Sequence, residues 1–164
     1  MTTVKKLAGI LCVLTTMSVT ASANSNQLAS EWKELRSEKR QIVNMAHELG
    51  ALARNGHLNS WETHSLNLQA LKELVNSSGQ RIARIQASSG NAAQLSELSR
   101  QLAVVAHHVT ELKRSINDNR FAIRTPTYFA TAMRLASSAE ASRTSTEKFV
   151  ASVLNASPAD PAAE

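Results

Sequence analysis

Between residues 95 and 116 one row of large apolar residues, Leu95, Leu98, Leu102, Val105, Val109, Leu112 and Ile116, recurs with spacings that alternate between three and four. That alternation is the a/d pattern of a helix packed against partners in coiled-coil fashion, and it predicts a helix over about 92–117. A second helix is predicted over about 60–86. There Trp61, Leu68, Val75 and Ile82 lie seven apart, beside a companion row of His64, Leu71, Ser78 and Ile85. A third, over about 25–53, carries Leu28, Leu35, Ile42 and Leu49 seven apart, flanked by Trp32, Met45, Ala46 and Leu52. The last is predicted over about 126–154, with Tyr128, Leu135, Ser142 and Phe149 in one row and Ala132, Ala139, Thr146 and Val153 in the other.

The breaks between these stretches have their own chemistry. Asn55-Gly56 stops the first helix, Ser88-Ser89-Gly90-Asn91 the second and Asn117-Asp118-Asn119 the third. Thr125-Pro126 supplies an N-cap followed by proline at the first helical position, where its missing N–H is harmless. Four long helices with short connections pack most simply as an all-α, antiparallel up-down-up-down four-helix bundle over residues 24–154. A pair of helical hairpins that dimerises satisfies the same seams, so both monomer and homodimer fit. Residues 155–164, with Pro158 and Pro161, read as a disordered tail.

The first residues read differently. Lys5 and Lys6 precede an apolar run from Leu7 to Leu14, and Ala21-Ser22-Ala23 offers a small-x-small cleavage site, so 1–23 is expected to be a secretory signal peptide. The apolar run gives way to Thr15, Thr16 and Ser18 well short of the twenty or so residues that a transmembrane anchor needs. Cys12 lies inside the run behind Gly9-Ile10-Leu11, so lipidation there is not expected. Cleavage removes Lys5, Lys6 and the single cysteine, leaving about 140 residues that must be stabilised by burial alone. Thiol catalysis and cysteine-ligated metals are excluded for that mature chain. A periplasmic or secreted location follows from this reading.

Chemistry is sparse along the helices. There is no glycine-rich phosphate loop, nucleophile elbow or His-Glu-x-x-His run, and a non-enzymatic protein is expected. Glu31 and Glu38 share a face with Glu34 between them and read as a solvated edge near Lys33, Arg36 and Lys39. His47, His107 and His108 fall on outer heptad positions and His57 on the first turn. Adjacent His107 and His108 point about 100° apart on a helix, so no metal site is expected. Only His64 lies on an apolar row. In a hairpin about Gly56 it stands within roughly 5 Å in height of Met45. Met and His are an axial pair for haem, so a b-type haem carrier using Met45 and His64 is the alternative functional reading, against ordinary core packing.

Charge placement gives the leading reading. The chain carries a formal +5, falling to mildly basic after cleavage. Bringing the first and third connections to one end of the bundle gathers Arg54, Lys113, Arg114, Arg120 and Arg124 there, with Glu111 and Asp118 nearby. Phe121 and Ile123, between two of these arginines, either form an interfacial wedge or close the apolar end of the bundle; closure is the favoured of the two. The small residues of the fourth helix, Ala130 to Thr146, either leave a groove or let it pack closely. An exported interaction, adaptor or holdase-like module acting on a protein or an anionic envelope surface is therefore expected. Nucleic acid is not, since stacking aromatics and recognition motifs are lacking.

Overall fold

The computed structural model describes residues 8–56, 58–89 and 92–155, with side chains at 26–56, 58–89 and 93–153. Lys5, Lys6, His57, Gly90, Asn91 and residues 156–164 lie outside the described residues, as does the side chain of Cys12. Every regular element among the described residues is helical. They are α1 (Ala8–Arg54), α2 (Trp61–Ser89), α3 (Ala92–Asp118), a 3₁₀ turn (Arg120–Arg124) and α4 (Pro126–Asn155). No helix is long and apolar enough to cross a membrane among the described residues.

α1 begins at Ala8, not near residue 25, and runs through the position after Ala23 expected to be cleaved. No Gly or Pro stands between Leu14 and Gln27 to interrupt it, so the apolar run and the first amphipathic stretch join as one helix.

The heptad rows form the core. All seven apolar residues of the α3 row are buried, as are Leu35, Ile42 and Leu49 of α1, Leu68, Leu71, Val75, Ile82 and Ile85 of α2, and Tyr128, Leu135 and Phe149 of α4. Each large aliphatic side chain withdrawn from water stabilises the fold by about 1.5–3 kcal/mol before entropy is counted. α1 packs against α2 and α4, and so does α3, which leaves α2 and α4 facing each other across a diagonal. Ala132, Ala136 and Ala139 are buried, so the small residues of α4 serve close packing.

Cross-helix pairs set the register. Glu31 meets Arg81 and Arg84, while Leu52 near the end of α1 meets Asn59 just before α2. Lys113 reaches Gln69, Lys39 reaches Ser142, and Trp32 packs on Phe149 with ring centroids 5.1 Å apart. The end of α1 thus lies beside the start of α2, and Lys113, late in α3, lies beside Gln69, early in α2.

The edge expected to be solvated divides: Lys33 and Glu34 are exposed and Glu31 and Arg36 half-buried, but Glu38 and Lys39 are buried. Glu38 is buried and accepts hydrogen bonds from Ser77 (2.7 Å), Ser78 (2.9 Å) and Arg81 (3.1 Å). Lys39 is 1% exposed and donates to Ser142 Oγ at 2.8 Å. The cause is their position. Successive residues on a helix point 100° apart, so Glu38 is aimed at α2 and Lys39 at α4, where Ser78 and Ser142 occupy seam positions and leave room.

Candidate functional site

The basic end of the bundle is built by two connections that touch. α1 stops where Asn55 N–H bonds Leu52 O and Leu58 N–H bonds Asn55 O, and the Asn59 amide donates to the Leu52 and Asn55 carbonyls left over at the helix end. Ser60 Oγ accepts from Thr63 N–H to start α2. On the other connection, Asn119 accepts from Phe121 N–H to open the 3₁₀ turn, and Thr125 Oγ1 accepts from Tyr128 N–H to cap α4 ahead of Pro126. Gly56 lies against the 3₁₀ turn so closely that a Cβ there would stand 2.1 Å from the Ile123 carbonyl oxygen. Only glycine permits that approach.

This contact decides between the readings of Phe121 and Ile123 by splitting them. A 3₁₀ turn advances 120° per residue, so two residues apart cannot both face inward. Ile123 is 3% exposed and closes the apolar end, whereas Phe121 is 67% exposed. Leu58, which the sequence reading passed over, is 75% exposed on the neighbouring turn. Leu66, one to two turns into α2, is exposed as well.

Cations surround this apolar tip. Arg120 stacks its guanidinium over Trp61, 4.3 Å from the ring centroid, and Arg124 stands 5.5 Å from the centroid of Phe121. Arg54, in the last turn of α1, also complements the negative end of that helix dipole. Arg54, Lys113, Arg114, Arg120 and Arg124 make no ion pair among the described residues. By contrast the shaft arginines Arg81, Arg84, Arg100 and Arg143 are each engaged by glutamates. Trp61 is the residue whose role the sequence hid: its heptad position marked it as core, yet it is half-buried beneath Arg120.

His64 is buried, one turn inside the tip, but its partner is Tyr128, not Met45. Nδ1 lies 3.1 Å from the Tyr128 hydroxyl across the α2–α4 diagonal, and the rings meet edge to face at 5.4 Å. Nε2 is buried with no hydrogen-bond partner. Burial depresses the pKa of His64 and raises that of Tyr128, so both are neutral at neutral pH. Met45 is half-buried against the core. Open grooves lie elsewhere, between α1 and α4 at Trp32, Arg36 and Val150, and between α2 and α3 at Gly79 and Leu102.

Burial raises the Glu38 carboxyl, but its bonds from Arg81, Ser77 and Ser78 outweigh this and hold it below the ordinary 4.5. Lys39 is pushed down from 10.5 to about 8 by burial, opposed by neighbouring Glu38. This layer is the most polar part of the interior, and every member is committed to a partner within the bundle.

Comparison with known proteins finds no matching family model, no matching curated protein and no matching solved structure.

Proposed function

We propose that this protein is an exported, antiparallel up-down-up-down bundle that docks by its basic tip on an anionic phospholipid surface. The observation that carries the reading is the pairing of exposed Leu58 and Phe121 with five cations that have no carboxylate partner among the described residues. Apolar side chains at such a tip enter the headgroup boundary, while arginines stay among the phosphates; each basic residue near an anionic leaflet adds about 1 kcal/mol. The meeting of Leu52 with Asn59, of Gln69 with Lys113 and of Gly56 with Ile123 supports the topology, since these contacts bring the two connections to one end. The lysine pair, apolar run and small-x-small site at the N-terminus support export.

Vesicle sedimentation tests this. Protein is expected to pellet with vesicles containing phosphatidylglycerol, to stay free of pure phosphatidylcholine vesicles, and to be released as salt rises past the range where the Debye length falls below about 10 Å. Arg120→Ser with Arg124→Ser should abolish binding, and Phe121→Ser should weaken it, at unchanged helicity. Equal binding to both vesicle types, or binding indifferent to these substitutions, overturns the proposal.

A further inference from the structure

We infer that His107, His108 and Glu111 on α3 bind one divalent transition-metal ion of the zinc and copper(II) kind. Glu111 lies four residues after His107 and three after His108, so its carboxylate is the common neighbour of both rings one turn along the helix. The Cα–Cβ bonds of adjacent helical residues diverge by about 100°, which alone would keep the two rings apart. The side chains turn back toward each other: the ring centroids are 5.6 Å apart, and one ring nitrogen of each histidine and one Glu111 carboxylate oxygen all lie within 4.8 Å of one another.

The separations suit an ion better than direct hydrogen bonds. His108 Nδ1 is 3.5 Å and His107 Nε2 4.0 Å from the same oxygen, Glu111 Oε2. His108 Nδ1 is also buried and makes no hydrogen bond. At a tetrahedral ion with metal–ligand bonds of about 2.0–2.2 Å, neighbouring ligand atoms stand roughly 3.4 Å apart. The His108–Glu111 separation already meets that value, and exposed His107 closes the remainder by rotating its ring.

The carboxylate is also available. Lys113 and Arg114 follow Glu111 closely, yet neither pairs with it among the described residues; the Lys113 ammonium bonds Gln69 Oε1 on α2 instead, at 2.5 Å. Two imidazoles and one carboxylate, without thiolate, suit zinc or copper(II), whereas magnesium and calcium prefer oxygen ligands throughout. Three protein ligands leave a fourth position for water or for a donor on another molecule.

Isothermal titration of the purified, tag-free chain with zinc chloride in a non-chelating buffer is the test. One ion per chain is expected, insensitive to excess magnesium. Glu111→Gln and His108→Ala should each weaken binding tenfold or more, His107→Ala should do likewise, and His47→Ala should leave it unchanged, all with parental helicity. Absence of saturable binding, displacement by magnesium, or parental affinity in the His107→Ala/His108→Ala double variant overturns the inference.

Discussion

Lys39 carries the largest electrostatic burden of any single side chain in the core. Holding its ammonium in the interior with a pKa of about 8, against 10.5 in the open chain, costs roughly 3 kcal/mol at neutral pH. That cost remains after the nearby Glu38 charge has opposed the larger penalty of burial, and the single hydrogen bond to Ser142 is too weak to cancel it. Lys39→Met keeps the length and packing of the stem and removes the charge, so it is expected to raise stability by about 1–3 kcal/mol in urea denaturation. A lower stability would mean that the ammonium is a net asset. The parental protein should itself gain stability between pH 8 and 10.5, where the unfolded chain holds a proton that the folded Lys39 has released.

Among the elements, the 3₁₀ turn depends on its neighbour more than on its own sequence. Its five residues receive an N-cap from Asn119, but what fixes its place is the bare backbone of Gly56 against the Ile123 carbonyl. The opposing atom is backbone and cannot swing aside. Gly56→Ala must therefore displace the turn or the first connection, at an expected loss of about 1–3 kcal/mol by thermal or chemical denaturation and a rise in Ile123 exposure. An unchanged midpoint would show that the two connections do not touch. α3 makes the opposite case, because its seven-residue apolar row specifies both helix and buried face without outside help.

For the whole molecule, acid is the condition that strains the fold. Burial holds His64 below its ordinary 6.5, so as pH falls through 6.5 the unfolded chain takes up a proton that the folded chain resists, and stability declines. Glu38 acts lower on the scale: its folded pKa lies below 4.5, so the stability it lends above that pH is lost as pH falls through the folded value. Urea denaturation from pH 8 down to about pH 2 should show a two-part decline, and His64→Gln, which cannot titrate but can still bond Tyr128, should flatten the upper part. An upper part unchanged in that variant would place the proton uptake elsewhere.

The sequence by itself determined the helices and their inward faces, because heptad spacing is a local property: the α3 row, the Thr125-Pro126 start and the stops at Asn55-Gly56 and Asn117-Asn119 are each legible within a few residues. The same spacing gathered the basic tip residues once the connections were brought together. It did not reveal that Glu38 and Lys39 are buried, because their partners Ser78 and Ser142 are 40 and 103 residues away, although serines on apolar seams were a signal that something polar must face them. Nor did it separate Phe121 from Ile123, since that outcome depends on a 3₁₀ turn held by Gly56 from another connection. Local periodicity decides which side of a helix is apolar, while only tertiary structure decides which distant side chain fills the space opposite, and at this bundle's polar layer and tip that second choice sets the chemistry.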